Sequence, residues 1–337
     1  MKRAVVGPAL VLVLASSLGA QQQAAPGAIP APQTPAPPAA VFRSGTNLVA
    51  LNLTVTDQQN QFVKGLTATD FAVFEDGVQQ QVQFFESADV PLDLILLIDT
   101  SSSMADKMDV VHEAATGFVK TLRPTDRGAV VAFADGVDVV QQLTPDRAAL
   151  EQAIRRTSPR GATSLHNALY IALKQFGRGA THVGDVRRQA IAVLSDGEDT
   201  SSLVSFEDVL ALARKSGVSI YPIALQSKYA SARQAATGER RYFNEAEYSM
   251  RTLAQETGAQ AFFPAQIHEL KNVYGSIAQE LSSQYSLAYA PSNTRSDGRF
   301  RRIMVRVATR PELRLRTRTG YTPQSARAAA SALMPQR

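Results

Sequence analysis

Apolar and polar positions change their period several times along the chain. Val49, Leu51, Leu53 and Val55 alternate with Ala50, Asn52, Thr54 and Thr56. A period of two predicts a half-buried strand. The stretch DFAVFEDGVQQQVQFF continues as two strand-like runs around Asp76-Gly77, and Asp-Gly between alternating apolar positions signals a hairpin. Residues 41–90 therefore read as β, and they are too few to bury a good core alone.

From Pro91 the pattern becomes strand–helix alternation. LDLILLID is apolar throughout, and Met104, Met108, Val111, Ala115, Phe118, Val119 and Leu122 then fall at helical spacing. GAVVAFAD and VDVVQQL predict two strands about Asp135-Gly136, and DRAALEQAIRRT and SLHNALYIALKQF predict helices. AIAVLSDGED is a strand entering an acidic loop. SFEDVLALARKSG is a helix capped by Ser205 with Asp208 three residues on, and it stops at Gly217. VSIYPIAL and AQAFFPA predict strands, and IHELKNVYGSIAQELSSQ predicts the last helix. Apolar strands alternating with helices predict an α/β fold with a doubly wound, mostly parallel sheet. Residues 226–243 are polar without a period and read as a long surface loop.

After Gln284 alternation returns. Ile303, Val305 and Val307 oppose Arg302, Met304 and Arg306, and Leu313, Leu315 and Thr317 oppose Arg314, Arg316 and Arg318. The expected organisation is an N-terminal β segment (41–90), an α/β domain (91–284), and a C-terminal β segment (285–322) that packs with the first as a flanking β-sandwich. Residues 323–337 read as a tail.

Composition adds a location. The chain has 337 residues, 45% hydrophobic and 19% charged, as expected for a protein with a real core. Lys2 and Arg3 precede an apolar stretch from Ala4 to Ala15 with small residues after it. That predicts a signal peptide over 1–20, since the stretch is shorter than a bilayer span. Residues 21–40 hold six Pro and seven Ala, a solvated linker. There is no cysteine, hence neither disulfide nor thiol chemistry. A periplasmic or secreted bacterial protein is expected, with an N-terminal inner-membrane anchor as the alternative. Arg295 to the C-terminus carries eleven Arg, no Lys, one Asp and one Glu, against +5 for the whole chain. These Arg are expected on the wet face of a sheet, and no nucleic-acid partner is expected.

Three loops carry the chemistry. Asp99-Thr-Ser101-Ser-Ser103 follows an apolar strand, RGATSLHNAL places Thr163 before a helix, and Asp196 follows another buried strand. In a doubly wound sheet, loops at the carboxyl ends of neighbouring strands share one crevice. Two carboxylates about 5 Å apart repel by roughly 3 kcal/mol at an effective dielectric of about 20, and a cation removes that cost. Donors that are all oxygen select a hard ion, Mg²⁺, Mn²⁺ or Ca²⁺.

Asp-x-Ser-x-Ser after a strand, Gly-x-Thr before a helix and Ser-Asp-Gly after a later strand resemble the von Willebrand factor A domain with its metal-ion-dependent adhesion site. The flanks GLTATDFAVFEDGVQQQVQFF and RTGY resemble a bacterial exported subfamily. The resemblance implies that Ser101 and Ser103 bind the metal directly, that Thr163 is a switchable ligand, and that Asp99 and Asp196 act through water. It implies a partner protein whose Asp or Glu completes the ion's coordination, in recognition rather than catalysis. Ser102 stands where the family often has Gly. Glu198 and Asp199 read as solvated loop acids. Two alternatives remain: a structural envelope protein with a vestigial metal site, and a Mg²⁺-dependent phosphoryl-transfer enzyme. The latter usually needs a second carboxylate where Ser101 stands, and a positive residue near the phosphate. No Gly-x-x-x-x-Gly-Lys-Ser/Thr loop occurs.

Overall fold

A computed structural model describes residues 48–87, 90–179, 187–196, 199–225 and 245–323. The expected signal peptide, linker and 226–243 loop, Glu198, and the tail beyond residue 323 lie outside these residues. Thirteen strands are described: β1 (Val49–Thr56), β2 (Phe71–Glu75), β3 (Val78–Gln80), β4 (Val82–Ser87), β5 (Leu92–Asp99), β6 (Arg127–Phe133), β7 (Val137–Thr144), β8 (Arg188–Ser195), β9 (Ser219–Ala224), β10 (Tyr285–Tyr289), β11 (Arg301–Val307), β12 (Arg314–Arg316) and β13 (Gly320–Tyr321). Six helices accompany them: α1 (Met108–Val119), α2 (Arg147–Arg156), α3 (Leu165–Gly179), α4 (Phe206–Ser216), α5 (Glu245–Thr257) and α6 (Leu270–Leu281).

The central sheet has the order β7-β6-β5-β8-β9. All its pairs are parallel except β6 with β7. Every residue of β5 is buried, because the strand is covered on both faces. Leu92, Leu94, Leu96 and Ile98 pack with α1, α2 and α6 on one side. Ile95 and Leu97 pack with α3, α4 and α5 on the other. A run without polar alternation is what such a strand requires. Local signals agree with the packing. Asp146 caps α2 by accepting from the amides of Ala148 (2.9 Å) and Ala149 (3.1 Å). Ser205 caps α4, and Gly217 ends it in the left-handed region at φ 71°.

The flanking sandwich comes from both ends of the chain, in two antiparallel sheets ordered β12-β1-β10-β4 and β13-β11-β2-β3. Their shared core contains Leu51, Leu53, Val73, Leu287, Ile303 and Val305. Asp76 and Gly77, at φ 48° and 84°, make the turn between β2 and β3. Glu280 of α6 ties the sandwich to the α/β layer. Its Oε1 accepts from Thr54 Oγ1 (3.2 Å) and Tyr221 Oη (3.0 Å) and pairs with Arg316.

Three expectations need correction. AQAFFPA is not a strand: only Phe262 bridges, to Ile223. The alternating run from Leu313 to Arg318 is not one strand either, because β12 pairs with β1 and β13 with β11, so the chain crosses between sheets at Thr317–Thr319. Nor do all the C-terminal Arg face water. Arg302 and Arg306 are exposed, whereas Arg301 is buried against Glu75 at 3.1 Å. No helix among the described residues is long and apolar enough to cross a membrane.

Candidate metal-binding centre

From β5 the chain passes through α1 to β6 on one side, and later reaches β8 on the other side of β5. The carboxyl ends of β5 and β8 therefore flank the point where the winding reverses, the position at which open α/β sheets form a crevice. Asp99 is the last residue of β5, and Asp196 directly follows β8.

Asp99 is fully buried. Its Oδ1 accepts from the Ser101 amide at 2.8 Å and its Oδ2 from Ser195 Oγ at 2.6 Å. Burial pushes its carboxyl above the ordinary value. The Ser195 and Ser101 hydrogen bonds oppose that shift, and the nearby Asp196 adds to it. Ser101 Oγ lies 3.1 Å from Ser103 Oγ, which donates to Asp196 Oδ1 at 2.7 Å. Ser101, Ser103 and Asp196 thus form one chain of oxygens. Its floor is buried at Ser101 and Asp196, and its rim is exposed at Ser103. Neither Asp99 nor Ser103 caps a helix. Ser101 is the residue before the short 3-10 turn Ser102–Met104, and its side chain makes no capping bond.

The loop that carries Thr163 is tied to the first loop through its backbone. Gly161, at φ 64°, turns its carbonyl to accept from the Ser102 amide (3.1 Å) and Ser102 Oγ (3.0 Å). The Arg160 amide donates to the Thr100 carbonyl at 2.6 Å. On the far side, the Thr163 amide donates to Thr200 Oγ1 at 3.1 Å, and its carbonyl accepts from the amides of Thr200 (2.9 Å) and Ser201 (3.1 Å). The Thr163 hydroxyl makes no hydrogen bond among the described residues. The exposed Ser102 hydroxyl joins the first loop to the second, which explains how a side chain is accommodated there.

Two features escaped sequence reasoning. The first is Lys107. Its Nζ donates to the Ser103 carbonyl at 2.9 Å and pairs with Asp196 Oδ2, with side-chain exposures of 11% and 1%. Lys107 stands four residues after Ser103, and that spacing returns a side chain to the preceding turn. The second is Asp199, expected as a solvated acid. It is half-buried and braces the second loop, accepting from the amides of His166 (2.8 Å) and Ser202 (2.9 Å) and lying 3.1 Å from His166 Nδ1. Burial alone would raise its carboxyl, but the bonds from Ser202 and His166 outweigh it and hold it below the ordinary range.

The donor set fits a hard cation. No cluster of three or more His, Cys, Asp and Glu side chains with metal-binding geometry occurs among the described residues, so any ion here would rely on hydroxyl oxygens. A positive group, the Lys107 ammonium, already sits on Asp196. Ser164 Oγ and Ser201 Oγ, next in sequence to Thr163 and Thr200, are buried without hydrogen-bond partners among the described residues.

Comparison with known proteins gives a family. The profile of the von Willebrand factor type A domain matches residues 93–273, more than half of the chain. An uncharacterized protein of Synechocystis sp. is 31% identical over 113 residues, 33% of this chain and 26% of that one. A UPF0353 protein of Mycobacterium leprae is 25% identical over 202 residues, 56% of this chain and 60% of that one. The chain thus spans between a quarter and three fifths of the length of these relatives. Among solved structures, a von Willebrand factor type A protein from Catenulispora acidiphila superposes with a TM-score of 0.46 at 17% identity, covering 72% of this chain and 52% of that one. A mussel byssus proximal thread matrix protein with a zinc-occupied MIDAS motif gives 0.47 at 17% identity, covering 61% and 50%.

Proposed function

The chain belongs to the von Willebrand factor type A domain family, and on that premise we propose that its three-loop crevice binds a divalent cation and, through it, a carboxylate of a partner protein. Domains of this family mediate protein–protein interactions. The observation that carries the reading is the chain Ser101 Oγ, Ser103 Oγ, Asp196 Oδ1 at the ends of β5 and β8. Ser101 and Ser103 would hold the ion directly, Thr163 would join or leave, and Asp99 and Asp196 would orient bound water. A bound ion supplies an electrophilic position for an anionic oxygen. The chain's own residues present it at the rim and screen its floor from solvent. Mg²⁺ is the expected ion, with Mn²⁺ or Ca²⁺ as substitutes. Lys2, Arg3 and the apolar residues after them support export to the periplasm or beyond.

Lys107 bears on both alternatives. It supplies the positive residue that phosphoryl transfer needs, yet its ammonium is engaged by Asp196, and Ser101 still stands where the second carboxylate belongs. An ammonium already seated on Asp196 also favours the vestigial reading, in which lysine has replaced the metal. Calorimetric titration with Mg²⁺, Mn²⁺, Ca²⁺ and Zn²⁺, followed by EDTA, separates these readings. The proposal expects saturable binding that Asp196→Asn and Ser101→Ala abolish while the fold is retained. It also expects EDTA-sensitive capture of a partner from envelope extract. Absence of metal binding in wild type overturns it, and turnover of an aryl phosphate would favour the enzyme reading.

A further inference from the structure

At the opposite end of the central sheet, where β8 begins and α4 ends, lies a cavity of about 790 Å³. Among the described residues six cations line it, Arg187, Arg188, Lys215, Arg295, Arg301 and Arg318, and no Asp or Glu does. Apolar surface comes from Leu48, Pro291 and Tyr321. Three of the cations are committed elsewhere. Arg187 Nε donates to Asp93 at 2.7 Å. Arg188 donates to the carbonyls of Val90 and Leu281. Arg301 pairs with Glu75, whose other oxygen already accepts from Tyr289 Oη (2.8 Å) and Tyr321 Oη (3.1 Å).

Arg318 is different. Its Nε is buried without a partner, and its guanidinium has no hydrogen bond or ion pair among the described residues. What it has is a stacking contact, 5.5 Å from the Tyr321 ring centre, and proximity to Gly217 at the carboxyl end of α4. Both are weaker than an ion pair. A guanidinium keeps its proton in proteins, and a buried charge persists when something compensates it. Burial also pulls the Arg318 guanidinium below its ordinary value, with Tyr289 and Tyr321 opposing that shift. The missing partner is an anion.

We propose that this cavity binds a small organic oxyanion, a compound bearing a carboxylate or phosphate group, with Arg318 as its planar two-pronged anchor. The exposed Lys215 and Arg295 stand at the mouth, and Leu48, Pro291 and Tyr321 supply the apolar lining for the carbon body. The volume is that of a small-molecule site. The site lies across the sheet from the metal crevice and does not depend on it.

The test is calorimetry and thermal melting of the full chain, without divalent ions, against inorganic phosphate and against succinate, each compared with sodium chloride at equal ionic strength. The expected result is saturable binding of at least one of them and a melting temperature that rises with the logarithm of its concentration. Arg318→Met should lose at least tenfold in affinity, yet melt no lower than wild type in the absence of anion. Phosphate or succinate, whichever binds, identifies the group recognised. Stabilisation no greater than that of sodium chloride, or equal binding by Arg318→Met, overturns the proposal. Should Arg318→Met fail to fold, the double variant Lys215→Gln, Arg295→Gln decides: several-fold weaker binding supports the site, and unchanged affinity overturns it.

Discussion

Replacing Lys107 by Met tests the charge logic of the crevice. The methionine keeps most of the stem and deletes the ammonium that pairs with Asp196 and donates to the Ser103 carbonyl. A divalent ion on Ser101 and Ser103 must displace that ammonium or tolerate it at close range. Unit charges 4 Å apart interact by about 4 kcal/mol at an effective dielectric near 20, whereas exposed ion pairs contribute about 1 kcal/mol or less. With the two side chains 11% and 1% exposed, the competition lies between these limits. Lys107→Met should therefore tighten Mn²⁺ binding by roughly fivefold to a thousandfold, measured by calorimetry at fixed ionic strength. The metal-free variant should melt lower than wild type, because Asp99 and Asp196 then face each other without a cation, and Mn²⁺ should restore the loss. A dissociation constant unchanged within about twofold would refute the competition. A variant that melts lower and binds no metal would mark Lys107 as a permanent replacement for the ion.

Three other perturbations probe the scaffold. Glu280→Ala removes the acceptor shared by Thr54, Tyr221 and Arg316, and should cost about 1–3 kcal/mol in urea unfolding, because it leaves buried hydroxyls without their acceptor while the partly exposed Arg316 turns to water. Asp126 accepts from the amides of Leu92 and Arg123, both at 2.8 Å, and pairs with the Arg123 guanidinium. Burial alone would raise its carboxyl, but these partners outweigh it and hold it below the ordinary value. Its folded value is therefore the depressed one. Its contribution is present above the unfolded value of 3.8 and is lost as pH falls through the lower folded value. Asp126→Asn should flatten the acid limb of the stability curve below about pH 4, and an unchanged limb would refute the assignment. Gly258→Ala places a methyl 2.5 Å from the backbone of Thr317 and Arg318 at a φ of 77°, and should cost at least about 2 kcal/mol by thermal melting.

What the sequence revealed depended on how local each determinant was. β5 was legible because a strand covered on both faces has no polar alternation, and the β2–β3 hairpin because Asp76-Gly77 must take positive φ. The sandwich was legible as two alternating segments, each too short to close a core alone. The split between β12 and β13 was not, because alternation continues through Thr317 and Arg318 while the hydrogen-bonding partner changes from β1 to β11. Periodicity reports which face is buried and says nothing about which strand lies alongside. Around the crevice, the oxygens of the first and third loops stood out as strand-end polar residues, and Thr163, in the connection between α2 and α3, as a hydroxyl just before a helix. Lys107 and Asp199 did not, since a lone charge in a helical approach or an acidic loop looks like ordinary surface until its partner is known.

On the proposed function, Lys107 also explains how the crevice folds without an ion. Asp99 is fully buried and Asp196 nearly so, and burial already pushes the Asp99 carboxyl upward. A chain that left both acids uncompensated would carry that penalty in every metal-free molecule. An ammonium on a flexible four-carbon stem removes much of the cost and leaves by bond rotation alone, with no change in the backbone. The same group must then lower metal affinity, since whatever stabilises the empty crevice is subtracted from binding. The proposed metal site would therefore best suit an ion at high ambient concentration, or one held jointly with a partner carboxylate that offsets the loss of the Lys107 pair. On the second account metal and partner bind cooperatively, and Lys107→Met, which needs no such help, should weaken that coupling while tightening the metal alone.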